Sequence, residues 1–357
     1  MRGCKVTVVT GKWEPRWPST ISFHEVPVVR LPHAPQGGWK TLRYVRSLGA
    51  WLKEHRDRYD LVYVSGLKHE ACAAVQAAGG DVPVVLRAET SGRAGDCLWQ
   101  LDALFGKRIK RECMKAAAFV GPSRLAEAEL KAAGYPRSQI HCIPNGVPIP
   151  PARTPEGQAA ARTILAELNK KFQLADGARL AVYAGRFARR NGLEHLLAAW
   201  KPISTRRPTA RLWLAGNGPE LPALSRKIEW MHLTDRVIPT GAFSDIETVL
   251  AAADLFVLPS LDGGPAVALL EAMAAGTPIV ATDTPGTREV MAGGEHGLTV
   301  PPGEAEPLSE AIARTLNDFP EAVQRGAAAR RHVSDRFSLA KMVDAHVILF
   351  ERLLGFL

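Results

Sequence analysis

The five cysteines in the chain of 357 residues, Cys4, Cys72, Cys97, Cys113 and Cys142, form no CxxC pair. That spacing argues against a zinc ribbon or a disulfide framework and leaves five reduced thiols. No apolar run approaches the roughly 20 residues needed to cross a bilayer, and the amino terminus lacks the hydrophobic centre of a secretory leader. The expected location is therefore the cytoplasm. His, Cys, Asp and Glu nowhere gather at metal-ligand spacing, so neither a metal nor a resident cofactor is expected. Aromatic residues do not recur among the basic ones and no nucleic-acid recognition motif stands out, so nucleic acid is not an expected partner.

Acidic charge is scarce in one half only. Residues 1–148 carry 22 Lys and Arg against 13 Asp and Glu, whereas the remainder holds 23 of each, so the net charge of +9 belongs to the first half. That half is expected to meet something anionic, either a phosphate-bearing acceptor or the headgroups at the inner face of a membrane. Its densest basic cluster is Lys107, Arg108, Lys110 and Arg111, within a helix read over 98–117. Such a cluster reads as a solvated helix face or as a place of membrane docking.

What is present is a regular alternation of strand and helix. Short apolar runs at 5–10, 28–31, 60–64, 82–86, 119–123 and 140–147 alternate with helical spacing, for example Leu42, Val45, Leu48 and Leu52. The segment 11–27, punctuated by Trp and Pro, reads as a loop. Four prolines in residues 148–155 mark a linker, and a second alternating series follows. This order predicts parallel sheets covered on both faces. The domains are expected at 1–148 and 149–336, followed by a terminal helix over 337–357.

The second series is organised around residues 253–283. Two buried strands, at 255–258 and 278–282, flank one short helix that starts after Gly263 and Gly264, with Pro265 in its first turn, and ends at Gly276. A glycine loop feeding a helix from the end of a parallel strand aims unpaired N–H groups and the helix dipole at one spot, which suits a phosphate. Within this apolar helix stands one carboxylate, Glu271, roughly 9 Å along the axis at about 1.5 Å per residue. A diphosphate on the loop leaves its ribose near that acid. An acid between Leu270 and Ala272 needs a partner or a ligand.

The order PS, acid, glycine, Pro265, an apolar run, EAMAAGTPIVATD and then Gly286 resembles the signature of the family 4 retaining glycosyltransferases. The resemblance implies the α/β fold called GT-B: two doubly wound Rossmann-like parallel-sheet domains facing a cleft, with a carboxy-terminal helix crossing back to the first. It implies a nucleotide-diphosphate sugar as donor and a glycan or lipid-linked acceptor. By position Glu271 takes the ribose hydroxyls, and the stretch Gly264, Pro265, Ala266 and Val267 takes the diphosphate and sugar through its backbone N–H groups, of which Pro265 has none. Arg186, directly after the strand at 180–185, matches a phosphate-contacting cation; the family's following Lys is replaced by Asn191, with Arg190 beside it. Gly216 and Asn217, in GNGPE, bring backbone close to the nucleotide.

Further departures bear on the chemistry. Gly263 stands where the family places an acid, and the neighbouring Asp262 is the expected substitute. Glu89 occupies the place of a cleft His, where it orients the acceptor, stabilises developing positive charge, or is a solvated loop acid. The strand at 5–10 resembles the family's second, so the first strand and its glycine loop are expected to be missing. The expected activity is sugar transfer with retention. The alternative is a nucleotide-sugar-binding protein with weakened turnover, acting as a partner in polysaccharide assembly.

Overall fold

The computed structural model describes residues 3–92, 95–243, 245–264 and 266–357. The chain divides into two compact units, residues 1–144 together with 342–357, and residues 145–341.

The first unit runs β1 (Val8–Gly11), β2 (Thr20–Phe23), β3 (Val26–Leu31), α1 (Gly38–Glu54), β4 (Val62–Ser65), α2 (His69–Ala78), β5 (Val84–Arg87), α3 (Asp96–Asp102), α4 (Gly106–Cys113), β6 (Ala118–Gly121), α5 (Arg124–Ala132) and β7 (Ile140–Cys142). Its strands form two sheets, a three-stranded one in the order β1-β3-β2 and a four-stranded parallel one in the order β4-β5-β6-β7. Among the described residues no strand joins β1 to β4. Even so, Val9, Val29 and Leu31 of the first sheet share one apolar cluster with Val64, Val84 and Leu86 of the second.

Two expectations for this unit are corrected. Thr20–Phe23 is not part of a loop but an antiparallel edge strand on β3. Its turn is His24–Glu25, with φ of 46° and 66°. Two-residue hairpins with positive φ at both positions are usually signalled by Asn or Gly, so His-Glu gives the sequence reader no cue. The single helix over 98–117 is instead two helices, α3 and α4, separated at Ala103–Phe105.

The second unit runs α6 (Pro155–Leu168), β8 (Leu180–Ala184), α7 (Leu193–Arg206), β9 (Arg211–Ala215), α8 (Leu221–Trp230), β10 (Val237–Gly241), α9 (Ile246–Ala252), β11 (Leu255–Leu258), α10 (Val267–Ala275), β12 (Ile279–Thr282), α11 (Pro285–Met291), β13 (Leu298–Val300), α12 (Ala305–Asn317) and α13 (Phe319–Arg336). All six strands are parallel, in the order β10-β9-β8-β11-β12-β13. The strands β8, β11 and β12 are buried at every position, as a sheet covered on both faces requires. The chain enters at β8, builds outward to β10, and returns to the other side of β8 with β11. The switch point therefore lies between β8 and β11, where open α/β sheets form a ligand crevice at the strands' carboxyl ends.

The last helix, α14 (Leu339–Leu353), starts in the second unit and belongs to the first from Met342 onward. There Met342, Ala345 and Leu349 pack on Val85, Val120 and Ile143, and His346 Nε2 meets Tyr63 Oη at 3.0 Å.

One pair in the second unit makes its stability depend on pH. The rings of His296 and His332 lie 4.4 Å apart, His296 is buried, and neither His296 Nδ1 nor His332 Nε2 has a hydrogen-bond partner among the described residues. Burial lowers both pKa values, and for His332 the neighbouring His296 adds to the effect. Glu295 and Asp335 oppose the shift, while Arg331 and Arg336 reinforce it. With folded values below the unfolded one, the neutral pair contributes stability above about pH 6.5 that is lost as the pH falls through the folded values. Melting temperature is expected to drop between about pH 7 and about pH 5, and His332→Phe to flatten that drop. Parallel pH profiles for wild type and variant would exclude the pair as the cause.

Candidate functional site

Three loops meet at the carboxyl ends of β8, β9 and β11, and glycines let them meet. A Cβ on Gly216 would lie 1.9 Å from the Gly185 carbonyl oxygen, and one on Gly192 would lie 2.0 Å from that of Pro259. Hydrogen bonds fix the approach. Phe187 N donates to Asn217 O at 2.9 Å, and Leu261 N donates to Arg190 O at 2.8 Å. The loop after β8 is thereby tied to the loop after β9 on one side and to the loop after β11 on the other.

Within this frame the Arg186 backbone is held twice. Tyr183 Oη donates to its carbonyl at 2.9 Å and Asn191 Nδ2 at 2.6 Å. Tyr183 is fully buried, and burial pushes its hydroxyl pKa up to about 12, so it remains a donor at any ordinary pH. The Arg186 side chain is exposed and has no carboxylate partner among the described residues. Asn191 spends its amide on the loop itself. Arg190 is exposed in the tight turn Arg189–Asn191, and its carbonyl accepts from Leu261 N in the loop after β11.

The loop after β11 leads into α10. Asp262 Oδ1 accepts from the adjacent Gly263 N at 2.7 Å, Gly286 N donates to Gly263 O at 3.1 Å, and Thr282 Oγ1 donates to the carbonyls of Leu258 and Ser260. These contacts join the loop to β12 and the first turn of α11. Pro265 lies outside the described residues. The helix has Ala266 as its N-cap, with no side-chain cap and no acid in its first turn. Leu269 and Leu270 both donate to the Ala266 carbonyl, which leaves the first amides of the helix, from Val267 onward, without intrahelical acceptors. Gly264 and Ala266 are half-buried and Val267 is exposed.

Glu271 is half-buried, more open than a helix apolar all round would make it, while Leu269, Leu270, Ala272 and Met273 beside it are buried. No hydrogen bond or ion pair from its carboxylate is found among the described residues, and desolvation raises its pKa. Its carboxylate is thus desolvated, with no compensating partner among the described residues, on the helix that follows β11. A small open pocket lined by Ile279, Gly297, Thr315 and Arg325 among others lies at the amino ends of β12 and β13, away from these loops.

Arg186, Arg190, Asn191, Gly216, Asn217, Asp262, Gly264, Ala266, Val267 and Glu271 thus all lie in one unit, on the loops around β8, β9 and β11 and on α10. Glu89 belongs to the other unit, just past β5. Its carboxylate accepts from Ser65 Oγ, lies 3.6 Å from Arg87 Nη1, and is half exposed. Sequence reasoning missed the two residues that organise these regions. Tyr183 looks like any core aromatic in a strand. Asp96 is fully buried, accepts from Glu89 N at 2.7 Å, and pairs with Lys68 at 3.4 Å; an acid just after a glycine-bearing loop was its available signal.

Comparison with known proteins covers both units. Residues 1–149 match the family model described as Glycosyltransferase Family 4, and residues 178–318 match that described as Glycosyl transferases group 1. Alpha-D-kanosaminyltransferase of Streptomyces kanamyceticus is 33% identical over 164 residues, covering 45% of this chain and 42% of that protein. N-acetyl-alpha-D-glucosaminyl L-malate synthase of Bacillus anthracis is 26% identical over 186 residues, covering 52% and 49%. The chain spans about half the length of these relatives or less. Among solved structures, sucrose-phosphate synthase from Thermosynechococcus elongatus superposes with a TM-score of 0.82 at 23% identity, over 99% of this chain and 90% of that one. The Anabaena protein HepE, in complex with UDP and glucose, gives 0.75 at 21% identity over 92% and 87%. At these identities the likeness establishes the fold, GT-B.

Proposed function

The chain belongs to the group 1, family 4 glycosyltransferases, and from that premise we propose that it moves a sugar from a nucleotide-diphosphate donor to a glycan or lipid-linked acceptor, with retention at the anomeric carbon. The observation that carries the reading is Glu271: a desolvated carboxylate with no partner among the described residues, one and a half turns into the helix that follows the glycine loop. Its two oxygens accept the ribose hydroxyls, the free amides at the start of α10 receive the diphosphate, and Arg186 faces the same charge from the loop after β8. Charge that develops on the departing diphosphate is met by fixed donors that need no reorganisation. HepE, of the same fold, holds UDP and glucose, which supports a sugar nucleotide as ligand. Asp262 and Arg190 are assigned to the sugar and phosphate, Gly216 and Asn217 to the nucleotide, and Glu89 to the acceptor side.

The test is nucleotide release from a panel of UDP-, GDP- and ADP-sugars, with and without a crude glycolipid acceptor. Release that depends on acceptor supports transfer. One observation favours a second reading, a binding protein with weakened turnover: Asn191, in place of the family's Lys, directs its amide to the Arg186 carbonyl and adds no charge toward the phosphates. Tight binding of a sugar nucleotide without release under any acceptor condition would establish that reading and remove the first.

A further inference from the structure

The first unit carries an apolar point that its own core does not use. Leu98 and Leu101 are 42% and 62% exposed, three residues apart on α3, and Leu104 and Phe105, in the turn into α4, are 79% and 65% exposed. The turn is built rigidly. Phe105 holds φ of 63°, a region that bulky residues rarely occupy. A Cβ on Gly106 would lie 2.1 Å from the Gln100 carbonyl oxygen, so α4 starts hard against the end of α3. Gln100 is buried; its Nε2 donates to Leu67 O at 2.6 Å and its Oε1 accepts from Tyr135 Oη at 2.8 Å. Two large apolar side chains are therefore held out in water by a fixed elbow.

Charge surrounds this point with one sign. Lys107, Arg108 and Arg111 are exposed on α4 and Lys110 is half-buried. Between Leu98 and Lys115 five cations stand against two carboxylates, and one of these, Glu112, is paired with Lys115 at 2.8 Å. We propose that this elbow docks on an anionic phospholipid bilayer, with Leu104 and Phe105 entering the interfacial layer and the basic residues of α4 on the headgroup phosphates. Exposed apolar residues flanked by cations are what such a surface attracts. A second copy of the chain is disfavoured as occupant, because pairing two such elbows brings the cations of both together. The proposal rests on this surface alone and does not depend on the reading of the second unit.

The experiment is co-sedimentation of the full chain with vesicles of equimolar phosphatidylglycerol and phosphatidylcholine, or of phosphatidylcholine alone. The wild type is expected to partition at least about tenfold better to the anionic vesicles, since each nearby cation contributes about fivefold. Leu104→Ser with Phe105→Ser, and separately Lys107→Gln with Arg108→Gln, are each expected to lose about tenfold or more, with melting temperatures close to the wild type's. Equal partition to both vesicle types, wild-type binding by both variants, or a wild type that stays in the supernatant would each overturn the proposal. So would a dimer in light scattering that Leu104→Ser with Phe105→Ser makes monomeric, since a second copy would then cover the patch.

Discussion

Glu271→Ala is expected to weaken binding of a nucleoside diphosphate by about ten- to a hundredfold, because it removes hydrogen bonds to a charged acceptor worth about 1.5 to 3 kcal/mol. Glu271→Gln is expected to melt at or above the wild-type temperature at neutral pH. The sign follows from burial. The folded pKa of Glu271 is raised by desolvation, so its contribution to stability is present below the unfolded value and is lost as the pH rises through the folded one. At neutral pH the ionised acid therefore opposes folding, and an uncharged amide of the same shape relieves that. Titration calorimetry and thermal melts on the same samples separate two roles. A ligand-binding acid gives weaker affinity with unchanged or higher stability. Unchanged affinity, or a large loss of stability in Glu271→Gln, would show a structural acid and remove it from the site.

Arg186→Ala is expected to lower kcat by about a hundredfold or more, the cost of deleting one preorganised donor to developing charge, with a smaller change in donor affinity. The guanidinium is exposed and unpaired among the described residues, so its loss leaves no buried charge behind and should not unfold the protein. Its backbone is fixed by Tyr183 and Asn191. Tyr183→Phe should accordingly reduce kcat in the same direction but less. Equal losses in turnover and in donor binding would make Arg186 a ground-state contact only.

Some of the site was legible because its chemistry is local. The helix α10 announces itself by the glycines before it, by Gly276 after it with φ of 70°, and by one carboxylate in an apolar run. The linker was legible for the same reason: Thr154 caps α6, accepting from Gly157 N at 3.0 Å, with Pro155 in the first turn. What escaped depends on a distant partner in one case and on the folding of a loop in the other. Leu98–Cys113 has continuous helical spacing, and only the fold, which holds Gln100 on Leu67 and Tyr135 and brings its carbonyl against Gly106, shows two helices there. Asn191 reads as an altered phosphate ligand until its amide is seen on the Arg186 carbonyl.

By itself the sequence determined the two series of strands and helices, the glycine loop with its helix, and the position of Glu271 along that helix. All of these follow from apolar period, helix stops and residues within one turn of each other. Tertiary structure decided that the first unit holds two sheets, that β8 and β11 form the switch point, that Gly192 and Gly216 press three loops together, and that Tyr183 holds Arg186. The first three of these depend on close approach between residues far apart in the chain, and the last on a loop that folds its carbonyl back onto the strand it has just left. Steric room and hydrogen-bond geometry set such approaches, and neither leaves a periodic trace in the order of amino acids.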